Sequence, residues 1–154
     1  MPNSLSPTLP RWFSLVFVLL STAFLVSLAL PPFSWAGLVK VAPIVLLLWL
    51  AATQLSGVTR ILMSLALFFS GCGDVLLESD LFAPGLSAFL IAQLCYIACF
   101  LRHRSAQPLP IARILAVVLI AGGMSVWILP MAGDMAIAVL LYMIALSAMG
   151  IAAA

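Results

Sequence analysis

What most constrains this chain is the spacing of a few polar breaks in a sequence that is otherwise apolar. Six apolar runs follow one another: Trp12–Leu30, Gly37–Thr53, Arg60–Leu77, Leu81–Leu101, Ala112–Leu129 and Met135–Ala154. Between them lie Pro31-Pro32, Gln54 to Thr59, Glu78 to Asp80, Arg102 to Pro110, and Pro130 to Asp134. A helix that crosses the hydrocarbon core of a bilayer needs about 20 apolar residues, and each run is close to that length. The runs are continuous rather than alternating, which argues against a β-barrel. With 66% hydrophobic and 6% charged residues, too little polar surface remains to cover a water-soluble domain. The expected fold is all-α, a polytopic transmembrane helix bundle of about six spanning helices. Residues 1–154 then form a single integral membrane domain, because no loop is long enough to fold alone.

Orientation follows from the basic residues. With the N-terminus cytoplasmic, Arg11, Arg60, Arg102, Arg104 and Arg113 fall on the inner side. Lys40 falls outside, with Glu78, Asp80 and Asp134. That asymmetry is the positive-inside signal of a multi-pass protein. It also accounts for the net charge of +2 without a nucleic-acid patch. The first run follows Arg11 and precedes small residues at Ser34-Trp35-Ala36, like a signal peptide, but its length favours a retained spanning helix. Cys72, Cys95 and Cys99 all lie inside apolar runs, so they are read as packing residues and not as a disulfide framework. Cys95 and Cys99 have no histidine near them, and no metal site is expected. The last run ends without a charged or aromatic interfacial anchor, so the chain is expected to stop short of a longer reading frame.

Asp74 is the residue that calls for a function. It closes the stretch Phe68 to Asp74, FFSGCGD, inside the third run. A carboxylate in the hydrocarbon region is expensive, and one kept there marks a functional site by default. Lys40 lies a few residues into the second run, at a similar depth on the neighbouring helix. It either snorkels to the interface or pairs with Asp74 and lowers the cost of its charge. Pro43, in the same helix, removes a backbone donor and leaves a carbonyl free for a polar group. Gly71 and Gly73 open the surface beside Asp74 to a close approach. Glu78 is four residues on and therefore on the same face. Two carboxylates in a poorly solvated site oppose each other's ionisation, which favours keeping one as a proton donor. A structural role for Asp74, with Glu78 simply interfacial, is the competing reading.

The fourth run carries Phe82, Gly85, Phe89, Ala92 and Tyr96 on one helical face, with Gln93 beside them. Such a stripe is packing unless its polar members find partners, and Gln93 and Tyr96 need them inside a membrane. Asp80 and Asp134 precede helices and are read as N-terminal caps. Gly122-Gly123 and Ser147 with Gly150 are read as helix-packing positions. His103, the only histidine, lies between Arg102 and Arg104 and is read as solvated.

These pieces resemble the lysoplasmalogenase, or YhhN-like, family of integral membrane proteins. The matching elements are Lys40 and Pro43 in VKVAPIVLLLWLAA, Gly73-Asp74-Val75-Leu76 in SGCGDVLL, and the F-x-x-G-x-x-x-F-x-x-A-x-x-x-Y pattern from Phe82 to Tyr96. They cover about the first two-thirds of the family's usual length. Many members carry a His where this chain has Gln93, which implies another proton carrier here. The family usually has about eight spans, with a Ser-Asp motif in a later one that this chain does not reach. The resemblance implies hydrolysis of the vinyl ether bond of lysoplasmalogen to a fatty aldehyde and a glycerophospho-alcohol, in a bacterial inner membrane and with no cofactor. It implies Asp74, Lys40 and Tyr96 as catalytic residues, and Gln93, Gly73, Phe89 and Glu78 as substrate-binding residues. The implied partner is a lipid substrate within the bilayer. A proton- or solute-coupled transporter and a non-catalytic membrane fragment are the alternatives.

Overall fold

The computed structural model describes residues 11–27, 36–104 and 111–153. Pro31-Pro32, the Ser34-Trp35 cleavage-like site and the segment 105–110 lie outside the described residues. Six α-helices follow in order: α1 (Arg11–Ser27), α2 (Ala36–Gln54), α3 (Gly57–Glu78), α4 (Phe82–His103), α5 (Ile111–Ile128) and α6 (Ala136–Ala153). Two 3-10 turns, Leu129–Met131 and Gly133–Met135, join α5 to α6. The described residues contain no strand. The all-α reading therefore holds. Four segments are long and apolar enough to cross a membrane: Gly57–Glu78, Phe82–His103, Ile111–Met131 and Gly133–Ala153. The apolar parts described for α1 and α2 are shorter, Trp12–Ser27 and Lys40–Gln54. Large aliphatic side chains face outward all over the molecule, Val126, Ile137 and Ile111 being about three-quarters exposed. Such a surface suits hydrocarbon and not water.

The helices pack in the lateral order α1, α2, α3, α4, α6, α5. The inner pair is α3 and α4. Their facing positions are small: Ala66 and Gly73 on α3, and Gly85, Ala88, Ala92 and Cys99 on α4, are all buried. Lipid gives helices no hydrophobic reason to associate, so close backbone approach through small residues supplies the contact. Two glycines show how close it is. A methyl group on Gly85 would sit 2.8 Å from the Leu77 side chain and 3.2 Å from its backbone nitrogen. One on Gly73 would sit 2.7 Å from the Phe89 ring. At the far end, the Thr59 hydroxyl and His103 Nε2 are 3.2 Å apart. The pairs 85/77, 73/89 and 59/103 keep one antiparallel register along both helices.

Each end of this pair has its own local chemistry. At the α2–α3 turn only Leu55 and Ser56 are non-helical, a shorter break than the polar cluster Gln54 to Thr59 predicts. Gly57 has φ +58°, a conformation that suits a residue without a side chain. Arg60 Nε donates to the Leu55 carbonyl at 2.6 Å, placing a cation at the C-terminal end of α2, where the helix dipole favours it. At the α3–α4 turn, Leu81 N–H donates to the Leu76 carbonyl (3.0 Å) and Asp80 N–H to the Leu77 carbonyl (3.3 Å). That is the Schellman pattern of helix termination, with Asp80 left-handed at φ +59°.

Three expectations are corrected here. Asp80 does not cap α4: the N-cap position belongs to Leu81, without a side-chain cap bond, because reversing the chain in so few residues needs Asp80 in the left-handed region. Asp134 lies within the second 3-10 turn, two residues before α6, and that turn has no side-chain cap bond. Gly122 and Gly123 meet nothing within 4 Å, since α5 buries no residue. Gly150 does pack, 3.6 Å from Val117. His103 is exposed, as read, and it ends α4, with Nδ1 2.9 Å from the Cys99 carbonyl and Nε2 on Thr59.

The strained turn gives a direct test. Asp80→Gly is expected to raise stability by up to about 1 kcal/mol, and Asp80→Val to lower it by about 1–2 kcal/mol, because only glycine adopts positive φ without strain. Thermal unfolding in detergent micelles checks the order Gly, Asp, Val.

Candidate functional site

The two helix ends nearest the α3–α4 turn bring three charged groups together. Lys40 Nζ lies 3.3 Å from an Asp74 carboxyl oxygen and 3.7 Å from a Glu78 carboxyl oxygen. Lys40 and Asp74 are mostly covered, with side chains 24% and 20% exposed, whereas Glu78 is 53% exposed. The i, i+4 spacing puts both carboxyls on one face of α3, and α2 crosses that face. Val41 and Ile44 pack against Gly71, where a methyl would make ordinary contact at 3.7 Å or more. α2 thus lies against α3 at Gly71, three residues before Asp74, and Lys40 reaches the carboxyl from there. One lysine faces two carboxyls, so the cluster has a surplus carboxyl for acid–base work.

A groove lies between the same two helices. Its volume is about 490 Å³, and it runs between α2 and α3 from Val41 and Val75 to Leu48 and Leu67. Its lining exposes no polar surface. The stretch of α3 from Leu67 to Leu76 flanks it, roughly 13 Å at the helical rise. Val41 and Val75 of its lining adjoin Lys40 and Asp74 in sequence, and the charged side chains are not themselves part of the lining. Charged groups at the head of an apolar groove suit an amphiphile.

Gly73 and Phe89 complete the wall on the other side of α3. Phe89 lies over the Gly73 backbone, and its other side meets Tyr142 of α6, with ring centroids 6.4 Å apart at 70°. Tyr142 is within hydrogen-bonding reach of the Gln93 side chain and close enough to Asp74 to feel its charge. Gln93 is 5% exposed, the only buried polar side chain among the described residues. Its Oε1 has no hydrogen-bond partner there.

The structure thus gathers Lys40, Asp74, Glu78, Gly73, Phe89 and Gln93, but it does not bring Tyr96 with them. In the α3–α4 register Tyr96 lies level with Ala66, eight residues from Asp74, about 12 Å along the axis. It stacks on Phe100 (6.1 Å, 14°), lies within hydrogen-bonding reach of Ser70, and faces a second cavity bounded by Ala51 and Met63. Shared position on one helical face does not mean shared depth: Tyr96 is two turns beyond Phe89. Tyr142 is the residue that sequence reading misses. Its signal is a phenol in the middle of an apolar run, but nothing in the spacing says that α6, rather than α5, lies beside α4. Among the described residues no group of three His, Cys, Asp or Glu side chains is disposed to hold a metal ion.

The family model for YhhN matches residues 35–154, which take in α2 to α6 and every residue of the cluster. The chain belongs to the YhhN family. Neither a curated protein nor a solved structure matches it. Membership points to a lysoplasmalogenase-type membrane protein. In this YhhN chain the fourth-helix position read as a proton carrier is Gln93, which cannot titrate, so the titratable groups of the site are Lys40, Asp74, Glu78 and the Tyr142 phenol.

Two tests follow from the packing. Gly73→Ala is expected to lower the melting temperature by displacing Phe89, and Gly73→Ala with Phe89→Leu to recover much of the loss. For the ion pair, Lys40→Met and Asp74→Asn each lower stability, and the double variant loses less than their sum. A coupling energy of about 1–3 kcal/mol is expected from a double-mutant cycle in micelles.

Proposed function

We propose that this protein is a membrane-embedded hydrolase of the lysoplasmalogenase type, cleaving the vinyl ether bond of a lysoplasmalogen. The observation that carries the reading is the Lys40–Asp74–Glu78 cluster at the head of a wholly apolar groove, in a YhhN-family chain. The single hydrocarbon tail lies in the groove, entering laterally from lipid, and Lys40 meets the phosphate. The vinyl ether then sits at the boundary between the two, beside Asp74.

The reaction needs little beyond carboxyl groups. A carboxylic acid gives its proton to the β-carbon of the vinyl ether, and the remaining cation is an oxocarbenium ion. A carboxylate steadies that cation and takes a proton from the water that attacks it. The hemiacetal so formed collapses to aldehyde and alcohol. Glycosidases divide the same labour between two carboxyls. Asp74 is the better covered of the pair and lies nearest the groove, so it faces the reacting carbons. Glu78 shares Lys40 at the more exposed rim. By the positive-inside rule this rim is the outer side of a bacterial inner membrane, crossed several times.

The experiment is aldehyde release from alkenyl-lysophosphatidylethanolamine by purified protein in detergent. Wild type is expected to release aldehyde, and Asp74→Asn to lose it by at least about 100-fold while inserting normally. An inactive wild type in detergent that moves protons or solute across sealed vesicles in a Lys40- and Asp74-dependent way would replace the hydrolase reading with the transport one.

A further inference from the structure

Gln93 is the most deeply covered polar side chain described, and its amide oxygen is unused. An amide carries two donors and an oxygen acceptor. Tyr142 of α6 lies close to this amide. Oε1 has no partner. An unsatisfied buried acceptor costs about 1–3 kcal/mol, a cost hard to explain in a helix where leucine would pack as well. Tyr142 is equally specific. Its ring is held on edge by Phe89, which lies close only because residue 73 lacks a side chain. The phenol lies near both Gln93 and the Asp74 charge. The arrangement presents an acceptor (Gln93 Oε1), a group that both donates and accepts (Tyr142 Oη) and a carboxylate (Asp74). These are the complements of one water molecule, which donates two protons and accepts others.

We propose that Gln93 and Tyr142 hold the water that attacks the oxocarbenium ion, with Tyr142 a catalytic residue drawn from α6. This rests on the hydrolase reading above and assigns its second reactant. Water donates one proton to Gln93 Oε1 and the other towards Asp74, while the Tyr142 hydroxyl donates to the water oxygen. As the carbon–oxygen bond forms, the proton facing Asp74 passes to its carboxylate. That proton offsets the one given to the β-carbon, so the cycle consumes one water and no net proton. The amide takes the place of a titrating side chain by orienting the water and leaving the proton to Asp74.

The test uses full-length protein in detergent with alkenyl-lysophosphatidylethanolamine, in water and in water containing methanol. Methanol can capture the oxocarbenium ion as a methyl acetal, so the acetal-to-aldehyde ratio reports how well the enzyme seats water. Tyr142→Phe is expected to lower kcat about 100-fold, the usual loss for one pre-organised donor, with KM within about twofold. The methyl acetal share is expected to rise several-fold. Gln93→Leu gives the same shift in product ratio, and it carries the measurement should Tyr142→Phe not fold. The double variant is expected to be no worse than the poorer single one, because the two act on one water. A merely structural role would lower the melting temperature and leave the product ratio at the wild-type value, and that result overturns the proposal. Wild-type kcat in Tyr142→Phe overturns it too, while an inactive Asp74→Asn beside it leaves the hydrolase reading standing. A wild type that releases no aldehyde overturns both.

Discussion

Helices in lipid gain nothing from hiding apolar surface, so α3 and α4 stay together because their backbones can come close. Ala66 and Gly73 on one helix and Gly85, Ala88 and Ala92 on the other make that possible. The remaining architecture depends on this contact. The side chains displaced from the α3–α4 seam go to its flanks, where α2 packs on α3 and α6 on α4. Each flank then delivers one functional group: α2 brings Lys40 to Asp74, and α6 brings Tyr142 to Gln93. The seam is closed at one end by a Schellman turn at Asp80 and at the other by Thr59 and His103.

Charge is placed with the same economy. Asp74 lies a turn inside α3, where a lone carboxylate would be costly, and Lys40 offsets that cost from the next helix. Glu78 then makes the cluster net acidic without entering the core. Below it the groove between α2 and α3 contains only aliphatic, aromatic and cysteine side chains. The boundary between polar and apolar chemistry falls within one residue of Asp74. An amphiphile whose labile bond joins its head to its tail would present that bond at this boundary.

Several parts of the site are legible in the sequence because they are local. The i, i+4 relation of Asp74 and Glu78 is fixed by helix geometry, and so is the bareness of Gly73 beside Asp74. The match in depth between Lys40 and Asp74 follows from where each run begins. Tyr96 shows the limit of this reasoning. It shares a helical face with Phe89, but the rise of the helix carries it away from the carboxylate. Asp80 and Asp134 show another limit: a polar residue before a helix reads as a cap, yet the turn can need that residue for its backbone conformation instead.

Patterning within each segment is enough to establish that the chain is helical, that it belongs in a membrane, and that its third helix carries an unusual carboxylate. These follow from hydrophobic period and run length, which act over a few turns. The order α4, α6, α5 across the molecule does not follow from them, because every one of these helices is apolar all round and none has a face that names its neighbour. Three-dimensional packing therefore settles that Tyr142, distant in sequence, stands beside Gln93 and Asp74, whereas Tyr96, close in sequence, does not. Small residues choose the neighbours, and the neighbours choose which buried polar groups meet.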